Sequence, residues 1–154
     1  MPKTATAVAV TVVGACAAIL TTAAVAASGG TSVNVILTLS GGTESFTATG
    51  LPDCATGTAV DLTASGKTNG KTSRFTGTRD FVCDSGSANF DLHFDTRTTA
   101  CVPTYSGTWS VVTATGGLAG MTGKGDISGT FTGDPASCPG EPIIESYSGT
   151  VKGI

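Results

Sequence analysis

Apolar and polar residues alternate at every second position along most of the chain after residue 30, and no helical periodicity appears there. A period of two is typical of strands that bury one face. The chain is therefore predicted to be all-β. The rows expected to face the core are Val33, Val35, Leu37 and Leu39; Phe46 and Ala48; Val60, Leu62 and Ala64; Phe75, Gly77, Arg79, Phe81 and Cys83; Phe90, Leu92 and Phe94; Trp109, Val111 and Thr113; Ile127, Gly129 and Phe131; and Ile143, Glu145, Tyr147, Gly149 and Val151.

Turn signals separate these rows. Asn69-Gly70 is the strongest, because both residues tolerate the positive φ of a tight hairpin. Gly41-Gly42, residues 84–86 and Gly116-Gly117 mark three more turns. About eight antiparallel, hairpin-connected strands fit a meander closed into a barrel, which leaves no exposed strand edge. A two-sheet sandwich is the alternative architecture.

A four-residue pattern recurs in the chain: a bulky residue, a hydroxyl residue, Gly and Thr. It begins at Phe75, Tyr105, Ile127 and Tyr147, and the last three copies start 22 and 20 residues apart. This spacing predicts one hairpin per repeat, with a strand about every ten residues. A glycine inside a strand lets the strand coil sharply, as a small closed barrel requires.

The start of the chain has the pattern of a secretory signal peptide. Lys3 gives a positive start, residues 5–20 are apolar, and Ala24-Val25-Ala26 matches an A-x-A cleavage site. We expect residues 1–27 to be removed, leaving one exported domain over 28–154 without a membrane anchor. A retained anchor helix is one alternative, although the apolar run is shorter than the roughly 20 residues that a membrane span needs. Lipidation of Cys16 is another, since Val13 to Cys16 resembles a bacterial lipobox.

The charge of the predicted mature chain bears on its partners. Removing Lys3 from the eight basic residues leaves seven against eleven acidic residues, a net charge of −4. The basic residues are scattered along the sequence rather than clustered. The chain therefore lacks the basic footprint of a protein that binds nucleic acid or anionic lipid.

Four cysteines remain after cleavage: Cys54, Cys83, Cys101 and Cys138. An even number in an exported domain predicts two disulfides, and three pairings are possible. We favour Cys54–Cys83 and Cys101–Cys138, because each bond would join a loop to a neighbouring strand end. The chain has no C-x-x-C motif and a single histidine, so we predict no metal site. No catalytic or cofactor motif is present, and we assign no catalytic residue and no cofactor.

Asp91, His93 and Asp95 alternate on one predicted strand, so their side chains point the same way. A carboxylate beside an imidazole can orient a general base, and the three together can hold a cation. The competing interpretation is a solvated outer face, because Phe90, Leu92 and Phe94 already provide the inner one. The second interpretation is favoured.

Two charged residues interrupt apolar rows. Arg79 shares a face with Phe75 and Phe81, and Glu145 lies between Ile143 and Tyr147. A buried arginine needs a carboxylate partner. These positions predict an interior Arg79–Glu145 ion pair, unless a β-bulge turns Arg79 outward.

Residues 106–133, SGTWSVVTATGGLAGMTGKGDISGTFTG, together with 81–94, FVCDSGSANFDLHF, carry a family resemblance. They resemble a group of exported bacterial β-barrel proteins related to the allene oxide cyclase and dirigent-type barrels. The shared motifs are G-T-W at 107–109, the glycine turns near 116–125 and C-D-x-G-S at 83–87. The resemblance implies a barrel and transfers no catalytic residue, because the motifs are structural glycines.

These observations support two expectations of function. The first is a secreted, non-catalytic barrel that binds a small apolar ligand or a cell-envelope component, or serves as an extracellular scaffold. The second, by analogy with the resembled family, is a cyclase or isomerase acting in the barrel mouth. An open cavity with convergent polar groups would favour binding or catalysis over a scaffold.

Overall fold

The computed structural model describes residues 29–99, 102–132 and 142–154. Each strand pairs antiparallel with the next, and the last pairs with the first, which closes the barrel. The strands are β1 (Thr31–Ser40), β2 (Thr43–Thr49), β3 (Thr56–Asn69), β4 (Thr72–Cys83), β5 (Gly86–Thr99), β6 (Val102–Ala114), β7 (Thr122–Phe131) and β8 (Ile143–Lys152), with a 3₁₀ turn at Gly116–Leu118 before β7. The predicted eight-stranded meander barrel is confirmed, and the sandwich is not formed.

The alternation of apolar residues selects the inner face of most strands. One half of the interior is filled by aromatic rings. Phe90 stacks on Trp109 with ring centroids 4.7 Å apart, and Phe81 packs against Phe90 at 4.7 Å. Tyr147 completes this group, with its ring 5.2 Å from that of Phe81. Fully burying such side chains supplies most of the favourable free energy of folding.

Two β-bulges overturn part of the predicted alternation. In β3 the register shifts between Asp61 and Thr63, so Ala59 is buried while Val60 and Leu62 are 52% and 57% exposed. The prediction that Val60 and Leu62 face the core is therefore wrong, and Asp61 takes the inner position instead. A bulge adds one residue to one strand of a pair, which reverses the facing of the residues beyond it.

The second bulge lies in β6, where Phe90 pairs with Val111 and Asn89 pairs with Thr113. Val112 is left out of the pairing and is 56% exposed. Beyond this point Ala114, not Thr113, packs against the core. The predicted inner row Trp109, Val111 and Thr113 is therefore correct only as far as Val111.

Each copy of the repeated motif corresponds to a different structural unit from the one predicted. Tyr105, Ile127 and Tyr147 lie on the consecutive strands β6, β7 and β8, so one repeat corresponds to one strand rather than one hairpin. Its glycines make room for large neighbours. A Cβ on Gly149 would come within 2.7 Å of the Trp109 ring and 2.4 Å of the Lys124 carbonyl oxygen. Glycine at this position lets the strands approach closely beside the tryptophan.

The Cys54–Cys83 disulfide ties the loop after β2 to the end of β4, with Cα atoms 5.5 Å apart. This predicted bond is confirmed. The predicted signal peptide over 1–27, Cys16, Cys101 and Cys138 lie outside the described residues, and the statements about them stay predictions. Within the described ranges, no helix has the length and apolar character needed to cross a membrane.

Candidate functional site

A cavity of about 290 Å³ occupies the half of the barrel interior opposite the aromatic core, next to the β1–β2 and β3–β4 hairpins. Its walls combine apolar and polar side chains: Leu37, Leu39, Glu44, Asp61, Ala64, Phe75, Arg79, Phe94, Thr96, Tyr105, Ile143 and Glu145. Seven strands contribute to this lining, and most of the side chains come from the inner rows described above. We call the charged part of this lining, Glu44, Asp61, Arg79 and Glu145 with Tyr147, the mouth cluster.

Arg79 is the centre of the mouth cluster, and its side chain is only 7% exposed. Its Nε donates to Asp61 Oδ1 at 2.6 Å and its Nη2 donates to Asp61 Oδ2 at 3.1 Å. This two-pronged pairing is possible because the β3 bulge places Asp61 directly opposite Arg79. Two parallel hydrogen bonds from the planar guanidinium to the carboxylate fix the orientation of both the Arg79 and the Asp61 side chains.

The predicted partner, Glu145, is also present at the site. Arg79 Nη1 donates to Glu145 Oε2 at 2.6 Å, and the glutamate side chain is 10% exposed. The same nitrogen donates to the Tyr147 hydroxyl at 2.6 Å, and that hydroxyl donates to Glu145 Oε2 at 2.7 Å. The structure therefore brings the two predicted interior charges together, and Tyr147 links them to the aromatic core.

Glu44 is placed beside this network but is not hydrogen-bonded within it. Its Oε2 lies 3.5 Å from Arg79 Nε, a nitrogen that already donates to Asp61. Within the part of the chain that the structure describes, the buried Glu44 Oε2 atom has no hydrogen-bond partner, and the same holds for Thr96 Oγ1. Buried polar atoms without partners are uncommon in folded proteins and call for a physical explanation.

Burial and the crowding of charges shift several pKa values here. Burial raises the pKa of Glu44, and the neighbouring Asp61 and Glu145 raise it further, while Arg79 lowers it in part. Burial likewise raises the pKa of Tyr147 well above its ordinary value, with the charge of Glu145 acting in the same direction. For Arg79, burial lowers the pKa, but the hydrogen bonds that it donates to Asp61 and the surrounding acidic groups outweigh this effect and raise the pKa overall. Tyr147 is therefore a neutral donor at pH 7, and Arg79 is a fixed cation.

The other predicted polar group lies on the outer wall of the barrel. His93 Nε2 is 3.0 Å from Asp91 Oδ2, and the two side chains are 60% and 40% exposed. Asp95 pairs with Arg74 at 3.0 Å rather than with His93. A depression beside His93 is lined largely by Ser, Thr and Gly residues of β3 and β4. This arrangement matches the solvated outer face that the sequence favoured.

Sequence reasoning missed three members of the cavity lining. Glu44 and Thr96 have the same strand parity as Phe46 and Phe94, so extending those inner rows by one step would have found them. Asp61 had no such signal, because the apolar residues on either side of it predict the opposite facing. Only the bulge, which the sequence does not mark, brings it inward.

The arrangement can hold a small molecule, and its chemistry is that of charged and hydrogen-bonding groups. Among the residues that the structure describes, no group of three or more His, Cys, Asp or Glu side chains is placed to hold a metal ion. No protein-family model, curated protein or solved structure matches the chain. The cavity and the mouth cluster are therefore the basis for an assignment of function.

Proposed function

We propose that this protein is a secreted, non-catalytic binding protein that holds a small, largely apolar molecule in the barrel cavity. The observation that carries the proposal is a cavity of about 290 Å³ that combines apolar walls with convergent polar groups. Ligand sites in proteins have this composition, and the volume is near the lower end of their usual range of roughly 300–1,000 Å³. A molecule with a short hydrocarbon or aromatic body fits these walls.

The contrast between the two halves of the interior supports binding over a purely structural role. A scaffold gains stability by filling its interior with apolar side chains, as the Trp109 half does. The cavity half instead buries Arg79 and Glu145, which costs desolvation energy that a filled apolar interior would avoid. Retaining charges around an unfilled space is reasonable when that space receives a ligand.

The Cys54–Cys83 disulfide supports an extracellular location, because disulfides persist in oxidising compartments. A ligand available outside the cell, either free or as part of a cell-envelope component, is consistent with that setting. The proposed role of the barrel is to carry or sequester such a molecule.

Titration with n-hexanol, followed by backbone amide NMR shifts, tests the proposal. We expect saturable shifts at residues around the cavity, such as Leu39 and Phe94. Leu39→Trp, which fills the cavity from β1, should abolish these shifts, whereas the matched variant Val112→Trp on the outer wall should leave them unchanged. His93→Ala should also bind normally, because His93 lies on the outer wall. Binding that survives in Leu39→Trp but is lost in His93→Ala contradicts the proposal.

A second candidate, a cyclase or isomerase acting in the same cavity, is favoured by one observation. Glu44 has a raised pKa and an unpartnered carboxylate oxygen at the cavity wall, which are properties of a general acid or base. Molecules that copurify with the wild type and with Glu44→Gln from culture medium should then differ when compared by chromatography. Identical bound molecules in both proteins support the non-catalytic role.

A further inference from the structure

The charges of the mouth cluster do not balance. Three carboxylates, Glu44, Asp61 and Glu145, lie within ion-pairing distance of one guanidinium, that of Arg79. With all three ionised, the cluster carries one positive and three negative charges, an excess of two negative charges. An imbalance of this kind in a half-buried cavity favours the entry of a cation.

Arg79 is not available to compensate Glu44 through a hydrogen bond. Its Nε and Nη2 donate to Asp61, and its Nη1 donates to Glu145 and Tyr147. Because these partners hold the guanidinium in place, an anionic ligand would have to displace a carboxylate to reach it. Among the described residues, the same contacts leave the Glu44 Oε2 atom as a buried carboxylate oxygen without a hydrogen-bonded counterpart.

Thr96 provides an independent observation on the same cavity. Its side chain belongs to the inner row of β5, the residue is 9% exposed, and its Oγ1 has no hydrogen-bond partner among residues 29–99, 102–132 and 142–154. A hydroxyl and a carboxylate that both lack partners can each accept a hydrogen bond from a donor placed in the cavity. A protonated amine has three such donors and a compact positive charge.

The remaining wall suits the body of an amine. Phe94 lies between Phe75, at 5.4 Å between ring centroids, and Tyr105, at 5.9 Å, and all three rings line the cavity. Aromatic faces attract organic cations and accommodate hydrocarbon chains. The cavity therefore presents acidic groups and an aromatic wall to the same molecule.

We infer that the ligand of this cavity is a small amphipathic amine, whose ammonium group is held by Glu44 and Thr96 and whose apolar body lies against the aromatic wall. This inference rests on the proposed binding function and adds the chemical class of the ligand. An ammonium group has donors for both unpartnered oxygens and reduces the excess negative charge, whereas a neutral head group leaves that excess unchanged and an anionic one increases it.

The test compares three probes that differ only in the head group: n-hexylamine, n-hexanol and n-hexanoate, titrated at pH 7 and low salt. We expect the amine to bind roughly tenfold more tightly than the alcohol, because a hydrogen bond between charged groups is about that much stronger. Hexanoate should bind most weakly. Glu44→Gln should reduce the amine-to-alcohol ratio by about tenfold. Thr96→Val should reduce the same ratio by a smaller factor.

Asp126→Asn is the matched control, because it removes one negative charge from an exposed position on the outer face of β7. It should leave the ratio unchanged, which separates a local contact from the overall charge of the protein. Equal affinities for the three probes, or a preference for hexanoate, overturn the amine assignment while the binding function stands. Failure of all three probes to bind at the cavity overturns both. A preference for the amine that persists in Glu44→Gln overturns the assignment of Glu44.

Discussion

Arg74 and Arg79 lie on the same strand, yet their surroundings differ in almost every respect. Arg74 faces outward with a side chain that is 77% exposed, and it pairs with Asp95 on the neighbouring strand at 3.0 Å. Arg79 faces inward with a side chain that is 7% exposed, and it contacts three carboxylates and a tyrosine. The two residues are an odd number of positions apart, so strand parity alone places one on each face.

This difference determines what each ion pair can contribute. Water screens the outer pair, and such pairs are worth between about zero and 1 kcal/mol. The Arg79–Glu145 pair is largely shielded from water, so each of its charges depends on its partners for compensation. The same chemical groups therefore form a minor surface contact in one place and the polar part of a candidate ligand site in the other.

The largest effect expected from this comparison is that of removing each arginine. Arg79→Met should lower the free energy of unfolding by about 3 kcal/mol, because it leaves Glu145 buried without its cation. This value is at the low end for a buried pair, since Asp61 is 47% exposed and can be solvated in part. Arg74→Met should leave the free energy of unfolding nearly unchanged, because water screens its pair with Asp95. Urea unfolding of both variants at pH 7 measures the difference, and equal stabilities would show that water already screens the mouth cluster.

The next effect concerns the hydroxyl that links the mouth cluster to the aromatic core. Tyr147→Phe keeps the ring against Phe81 but removes the hydrogen bonds to Arg79 and Glu145. We expect a loss of about 1–2 kcal/mol, the cost of leaving buried polar groups without a partner. Tyr105→Phe is the matched control, because Tyr105 lines the same cavity but is only half-buried, and it should change the stability by less than about 0.5 kcal/mol. A Tyr147→Phe variant as stable as the control contradicts a structural role for this network.

Much of this site follows from strand parity, and the part that does not has a definite physical cause. Arg79 and Glu145 were predicted to meet because each interrupts an apolar row, and a buried charge requires a partner. Asp61 was not predicted, since the bulge at Leu62 that turns it inward depends on how β3 closes against β4. A bulge has no reliable local sequence pattern when the residues around it are a mixture of apolar and polar.

The fold was easier to predict than the state of its interior. Alternation along β1, β2, β4 and β5 reports only which face is buried, and this is sufficient for a closed meander. Whether the interior is filled depends on the summed volumes of side chains from all eight strands at each level. Large aromatic rings fill the half of the interior around Trp109. In the other half, the charged side chains pair with one another along the barrel wall, and a cavity remains. That outcome requires the register between strands, which the sequence pattern does not provide.

The smallest expected effect is the dependence of stability on pH. It should have opposite directions for a carboxylate inside the barrel, Glu44, and one on the outer wall, Asp95. Glu44 has a raised pKa in the folded protein because of burial first, with Asp61 of β3 and Glu145 of β8 adding to the shift and Arg79 of β4 opposing it. The folded state therefore holds this proton more tightly than the unfolded state. The contribution of Glu44 to stability is fully present below its ordinary pKa of 4.5 and is lost as the pH rises through the raised value.

Glu44→Gln removes this loss, so its stability relative to the wild type should increase as the pH rises from the ordinary value of 4.5 through the raised pKa. Asp95 provides the opposite case, because its hydrogen bond from Arg74, reinforced by the positive charge of that residue, lowers its pKa. Its contribution is present above its ordinary pKa and is lost as the pH falls through the lowered value. Asp95→Asn should therefore be slightly less stable than the wild type at neutral pH and should match it in acid. Urea unfolding from strongly acidic to neutral pH measures both differences. If the stabilities of the two variants relative to the wild type changed in the same direction with pH, the inner and outer carboxylates would experience the same environment. That result would contradict the comparison of the two arginines.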